Sequence, residues 1–177
     1  MSRPITPGER TLLESVFGPF TLPYATLEVD ELDNPDRDSI TPGEMPYMKR
    51  SVYQPDYSTA FLETDRAEFI HEMVHVWQYY HGYHKLLQAG WLWLSNLTNY
   101  MKSYPYDLSY SANFDSYNME QQACIIEDWW LITHDRPAQN NHGSLKSVSA
   151  YEPFLAQLRS VGAPHEPLVI QPLLHRH

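Results

Sequence analysis

The stretch FIHEMVHVWQYYH, residues 69–81, contains the residue types best suited to chemistry. His71 and His75 are four residues apart, and on a helix this spacing places both imidazoles within about 40° of each other around the axis. Neutral imidazole is a good Zn²⁺ ligand, so two of them facing one point predict a zinc site. Glu72 can lean over the same point and take a proton from a water at the metal, which is the role of a general base.

The neighbours of these three residues favour a buried site. The His-Glu-x-x-His pattern also arises by chance, on amphipathic surface helices whose histidines are solvated. Here the intervening and flanking residues are uncharged, which indicates a helix that is buried around its active face.

A catalytic zinc needs a third protein ligand and keeps a fourth position for water. His81 completes the spacing of the metzincin pattern, but that pattern has glycine where this chain has Gln78. On an unbroken helix His81 would lie about 120° off the face of His75. The other candidate is a carboxylate on a second helix, as in gluzincins. In this chain the predicted second helix offers Glu120 and Glu127, which would lie about 10 Å apart along its axis, so only one of them can bind a given ion. Glu127 could instead orient a ligand histidine.

The surrounding pattern predicts a mostly helical α+β domain with a small N-terminal sheet. A short helix is expected from Thr6, its N-cap, to Gly18. The other expected elements are a half-buried strand over YATLEVDEL, a strand over YMKRSVYQ, and helices over residues 65–80, KLLQAGWLWLSNLTNYM and MEQQACIIEDWWLITH. SYPYDLSYSANFDSYN is a long polar loop, and the Glu152–Pro153 step restricts where a last helix can begin.

Length and composition set the class of protein. The 177 residues suit one domain, which we expect to span residues 1–177. The net charge of −10 argues against binding to nucleic acid or to anionic membrane surfaces. MSRPITPGER lacks the apolar region of a signal peptide, and no apolar stretch approaches the ~20 residues that span a bilayer. We therefore expect a soluble chain without membrane insertion, which would leave the cell only by a route independent of a signal peptide.

Four motifs carry a resemblance to a known family. ITPGE, VYQPDYS, FIHEMVHVWQYY and YNMEQQA occur here in the order and at the spacings of a zincin-like metallopeptidase family. Its members include vgr-related proteins and the C-terminal extensions of valine-glycine-repeat spike proteins in type VI secretion systems. The resemblance covers roughly residues 6–130. It implies a zincin-like metallopeptidase fold with an HExxH active-site helix, Zn²⁺ held by His71, His75 and Glu120, and Glu72 as the catalytic acid/base.

The resemblance also implies a biological role. The implied protein is a gluzincin-type metallopeptidase that acts as an effector toxin. It would be cytoplasmic before delivery by type VI secretion and would act on a protein or peptide in the target cell's periplasm. A secretion spike and an immunity protein are the implied partners. Because the sequence begins at Met1 without a spike domain, we expect either a separate cargo or a piece excised from a longer chain. The alternatives are a zinc-binding effector or adaptor module without proteolysis, and a zinc amidase acting on cell-wall peptides.

Several further residues have expected roles. A gluzincin often has an acidic residue four positions after its glutamate ligand, where this chain has its single cysteine, Cys124. Another group, such as Glu127, Asp128 or a backbone carbonyl, must then orient His71, and Cys124 is expected to be a buried small apolar residue. By analogy with zincins, in which an edge strand above the active-site helix commonly pairs with an extended substrate, we expect the strand YMKRSVYQ to be such an edge strand.

Peptide hydrolysis also needs a donor for the developing oxyanion. Tyr110 and Tyr117, in the loop before Glu120, are the expected donors, with Tyr117 chosen as the catalytic residue. His134 and His142 are the alternatives.

Overall fold

The computed structural model describes residues 1–34, 37–83 (without the side chain of Tyr83) and 104–164. The predicted helix over residues 85–101 and the tail after residue 164 lie outside the described residues. Within them the protein is mixed α+β and mostly helical, with one three-stranded sheet. The elements are β1 (Arg3–Pro4), α1 (Pro7–Phe17), β2 (Glu28–Glu31), β3 (Tyr47–Met48), α2 (Glu63–Gln78), α3 (Met119–Thr133) and α4 (Val148–Ser160).

The N-terminal helix α1 begins and ends as its sequence predicts. Thr6 and Glu9 form a reciprocal capping box, and the helix stops before Gly18, whose φ of 85° suits glycine. The carboxylate of Glu9 is fully buried and also binds the guanidinium of Arg3 in β1. The cap therefore ties the helix to the sheet.

The sheet has the order β1-β2-β3, with β1 antiparallel to β2 and β2 parallel to β3. The strand predicted over YATLEVDEL is shorter than expected. Leu27 and Val29 are buried as predicted, but Ala25 is exposed because the chain turns there, with the amide of Thr26 bonded to the carbonyl of Pro23.

The strand predicted over YMKRSVYQ is correct only for β3. After Met48 the chain turns, since the amides of Val52 and Tyr53 both bond to the carbonyl of Lys49. The expectation that this strand offers a free edge to a substrate is wrong. The amide and carbonyl of Tyr47 are both bonded to Ile40, so the edge is already occupied.

Helix α2 is the centre of the fold and packs chiefly against α3. Twelve of its residues are buried, as the uncharged flanks of its motif predict. A π-helical turn over Tyr79–Tyr83 follows it, and Gly82, with φ of 95°, ends the helical path.

Helix α4 contains a proline. The helix begins at Val148, before the Glu152–Pro153 step, so the expectation that this step limits its start is wrong. The side chains of Tyr151 and Leu155 are buried, and the free energy of this burial offsets the loss of the backbone hydrogen bond that the proline cannot donate. Among the described residues, no helix is both long and apolar enough to cross a membrane.

Candidate metal centre

Three of the predicted ligands converge between α2 and α3. The carboxylate atom Oε2 of Glu120 lies 3.4 Å from Nε2 of His71 and 3.3 Å from Nε2 of His75. The two histidines are 6% exposed and belong to α2, while Glu120 lies in the first turn of α3. Helix spacing within α2 and the packing of α2 on α3 thus bring two nitrogens and one oxygen to one point.

This donor set fits a zinc ion. Oε2 of Glu120 is buried and has no hydrogen-bond partner, which is costly for a carboxylate unless a cation binds there. Ligands at about 2.0–2.1 Å from a tetrahedral ion stand roughly 3.3 Å apart, as these atoms do. Two imidazoles and one carboxylate are also the ligand set of many catalytic zinc sites.

Glu127 orients the first histidine, as one of the sequence alternatives predicted. Nδ1 of His71 donates a hydrogen bond to Oε2 of Glu127 at 2.9 Å. This bond fixes the tautomer of the neutral ring, because it keeps the proton on Nδ1 and leaves Nε2 as the nitrogen that can bind a metal. Glu127 and Glu120, seven residues apart on one face of α3, therefore contact opposite nitrogens of His71.

Gln78 orients the second histidine, and the sequence analysis missed this role. The amide nitrogen of Gln78 donates to the carbonyl of Met119 and to Oε1 of Gln122. Its amide oxygen is thereby left to accept a hydrogen bond from Nδ1 of His75 at 2.8 Å. The available signal was the glutamine itself, which stands where a metzincin has glycine.

His81 does not join this cluster. Its Nε2 lies 2.8 Å from the carbonyl of Thr21, and its ring packs against Trp77. The backbone leaves the helical region at His81, with φ of −108° and ψ of 22°, but this kink directs the ring toward Thr21 and not back toward His75. Of the two third-ligand candidates, the geometry favours Glu120.

Glu72 lies beside the cluster and is 5% exposed. The hydroxyl of Thr41 donates to its Oε2 at 2.7 Å. Burial raises the pKa of Glu72, while the neighbouring imidazoles of His75 and His71 act to lower it. A raised pKa makes this carboxyl a stronger base than an exposed glutamate, which suits a group that accepts and then returns a proton.

The electrostatics of the cluster favour positive charge. Burial alone would raise the pKa of Glu120, but the imidazoles of His75 and His71 hold it well below its usual value. Burial would lower the pKa of His71, but its interactions with the neighbouring Cys124, Glu120 and Glu127 raise it well above the ordinary value. A divalent cation at this point would supply the charge that the carboxylates favour.

A second donor group shares the same histidine. His71, Cys124 and Glu127 bring their ligand atoms within 4.8 Å of one another. Cys124 is fully buried, and burial raises the pKa of its thiol to about 12. A thiol in this state is a weak ligand until it loses its proton, and Cys124 occupies the buried apolar position that the sequence predicts.

A surface cavity of about 370 Å³ reaches the cluster. It is lined by Asp38, Ser39 and Lys49, by Glu68, His71 and Glu72 of α2, by Glu127 of α3, and by Tyr104, Pro105 and Asn140. The ring of Tyr104 stacks near that of His71, with centroids 6.0 Å apart. The cavity therefore offers a bound molecule access to both Glu72 and His71.

Asp128 does not orient His71 and instead anchors the loop on one side of this cavity. Its carboxylate is fully buried and accepts hydrogen bonds from the hydroxyl of Tyr106 and from the amides of residues 139–141. The segments bearing Tyr104 and Asn140 are thereby fixed against α3.

The residues predicted as oxyanion donors are not brought to the cavity. The hydroxyl of Tyr117, the chosen donor, lies within hydrogen-bond distance of the carbonyls of Asp107 and Ser111 and fixes its own loop. Tyr110 is exposed beside it. His134 stacks on Trp130 at the end of α3. His142 lines a separate depression together with Tyr110 and Tyr117.

The fold and the site together define a small α+β domain with a buried cluster that could hold a metal. No family model matches the chain. It is 30% identical over 139 residues to the type VI secretion system spike protein VgrG2b of Pseudomonas aeruginosa, an alignment that covers 73% of this chain. The solved effector domain of Pseudomonas aeruginosa VgrG2b matches with a TM-score of 0.65 and 27% identity, over 86% of this chain and 81% of that domain.

These two similarities make the chain a homologue of the effector domain of a type VI secretion spike protein. The alignment spans only 13% of the length of the spike protein. The relation therefore concerns the effector region and not the spike as a whole.

Proposed function

We propose that the protein is a zinc-dependent metallopeptidase of gluzincin type with a zincin-like fold, acting as a type VI secretion effector toxin. One observation carries the proposal. Two imidazole nitrogens and an unpartnered buried carboxylate oxygen meet at one point, directly beside the buried Glu72 and at an accessible cavity.

In this proposal His71, His75 and Glu120 hold the ion. Zn²⁺ bound there would supply Lewis-acid activation of water and of the scissile carbonyl. Glu72 takes the proton of the attacking water and then delivers it to the leaving amine, so one carboxyl acts first as base and then as acid. Glu127 keeps His71 in the tautomer that binds through Nε2.

We propose Tyr104 as the donor to the developing oxyanion in place of Tyr117. Both tyrosines belong to the loop that precedes α3, but only Tyr104 lines the cavity that contains Glu72. Its ring lies against His71, near the point where the substrate carbonyl would be polarised.

The relation to a spike protein supports a proposal for the delivery route and the partners. We propose that the chain associates with a secretion spike, is delivered by type VI secretion to the periplasm of a target cell, and cleaves a protein or peptide there. The producing cell would then need an immunity protein.

The test measures zinc per chain by mass spectrometry and toxicity on expression in the periplasm of a bacterial host. The parent should hold about one zinc, Glu120→Ala should lose it, and His81→Ala and Cys124→Ala should keep it. Glu72→Ala should keep zinc and lose toxicity. Zinc kept in Glu120→Ala but lost in Cys124→Ala would move the ion to the second donor group. A fully toxic Glu72→Ala would instead indicate a zinc-binding module without proteolysis.

A further inference from the structure

The extended segment 39–41 runs along the active face of α2. Ser39 donates its hydroxyl to Glu68 at 2.6 Å, and Thr41 donates its hydroxyl to Glu72 at 2.7 Å. On an extended chain, two residues that are two positions apart, such as Ser39 and Thr41, are separated by roughly 6.6 Å. On a helix, two residues that are four positions apart, such as Glu68 and Glu72, are separated by about 6 Å along the axis. The two hydroxyls thus match two glutamates that are separated by one turn.

The position of Thr41 is fixed from several sides. Ile40 is paired with Tyr47 through two backbone hydrogen bonds, and this pairing holds the segment beside the sheet. Pro42 follows Thr41 and restricts it to extended backbone. Thr41 is only 7% exposed, so no bulk water replaces its hydroxyl at the carboxylate.

We propose that Thr41 is a positioning residue for Glu72, an inference that rests on the proposed function. The hydroxyl occupies Oε2 of Glu72 and so leaves Oε1 as the oxygen that exchanges the proton with water and the leaving group. Thr41 also lies 3.3 Å from the backbone carbonyl of Glu72, so it contacts both ends of this residue. Without the hydroxyl, the carboxylate would lose its fixed rotamer.

The first test measures the contact itself, without reference to catalysis. A double-mutant cycle combines Thr41→Val, which keeps the shape of the side chain, with Glu72→Ala and follows denaturant unfolding. Thr41→Val should raise the unfolding equilibrium constant about tenfold in the parent and less than twofold in Glu72→Ala. Equal effects in both backgrounds would show that the two residues are not coupled and would overturn the inference.

The second test measures turnover of an internally quenched fluorogenic peptide, chosen from a mixed library as one that the parent cleaves. Thr41→Val should keep zinc and KM but lower kcat by about ten- to a hundredfold. Thr41→Ser, which retains the hydroxyl, should recover most of the loss. Thr21→Val removes another buried threonine hydroxyl, one that donates to the carbonyl of Phe17, and should leave kcat unchanged.

The outcomes separate the inference from the proposed function. An inactive Glu72→Ala together with a fully active Thr41→Val would overturn the role of Thr41 alone. A Glu72→Ala variant that cleaves as well as the parent, or a parent that cleaves no peptide of the library, would contradict the peptidase proposal and this inference with it.

Discussion

The amide oxygen of Gln78 accepts a hydrogen bond from Nδ1 of His75 at 2.8 Å, within the last turn of α2. Gln78 is fully buried, and its amide nitrogen reaches across to Met119 and Gln122 of α3. One side chain therefore links a candidate ligand on α2 to the start of the helix that carries Glu120. The orientation of His75 and the packing of the two helices depend on the same glutamine.

Replacing this glutamine should weaken zinc binding without removing a ligand. Gln78→Ala leaves Nδ1 of His75 without its acceptor, so the ring loses its fixed tautomer and orientation. We expect zinc affinity, measured by competition with a fluorescent chelator, to fall by roughly tenfold or more. Gln139→Ala, a change at an exposed side chain, serves as the control. An unchanged affinity in Gln78→Ala would mean that helix packing alone orients His75.

Local sequence determines much of what was predicted correctly. The capping box of Thr6 and Glu9, the helical spacing of His71 and His75, and the start of α3 after Asn118 each involve residues within four positions of each other. The periodicity of side chains and the residue types at helix ends predict such short-range features directly from the sequence. For this reason three helices and two of the candidate ligands could be found without coordinates.

Contacts between distant segments account for the predictions that failed. The outer edge of β3 is occupied by Ile40, which lies outside YMKRSVYQ and which no pattern within that stretch reveals. Thr41 and Glu72 are 31 positions apart in sequence, and Gln78 and Gln122 are 44 apart. Their pairing depends on how the segment 39–41 and α3 pack on α2. Tertiary burial likewise decides that Pro153 is tolerated inside α4.

Removing the buried carboxylate of Asp128 should destabilise the protein strongly. It accepts four hydrogen bonds, from the hydroxyl of Tyr106 at 2.8 Å and from the amides of residues 139–141 at 2.6, 3.0 and 3.1 Å. Asp128→Ala removes the acceptor of all four donors, of which the hydroxyl of Tyr106 and the amide of Asn141 are buried, and we expect a loss of about 3 kcal/mol in the free energy of unfolding. Chemical denaturation followed by tryptophan fluorescence measures this loss.

An exposed aspartate near the end of the same helix provides the comparison for Asp128→Ala. Asp135 adopts a φ of 57°, which asparagine also tolerates, so Asp135→Asn should change the free energy of unfolding by less than about 0.5 kcal/mol. A small loss in Asp128→Ala would mean that water replaces the carboxylate and that the loop does not depend on it.

Zinc binding should release protons near neutral pH. The pKa of His71 is raised well above 6.5, because Cys124 and the carboxylates of Glu120 and Glu127 outweigh its burial, and the pKa of His75 is raised by the carboxylate of Glu120. Below these pKa values the metal-free site binds protons that zinc must displace, so affinity falls as the pH falls and levels off above them. At pH 7 we expect the release of about one to two protons per zinc. Calorimetry in two buffers of different ionisation enthalpy measures this number.

Glu127→Gln tests the electrostatic cause of this proton release. The variant keeps a hydrogen-bond acceptor for Nδ1 of His71 but removes the negative charge that contributes to its raised pKa. Fewer protons should therefore be released at pH 7 than in the parent, and the fall in zinc affinity should begin at a lower pH. An identical release in parent and variant would show that this carboxylate does not set the protonation of His71. No release in the parent at pH 7 would mean that both imidazoles are already neutral before the metal binds.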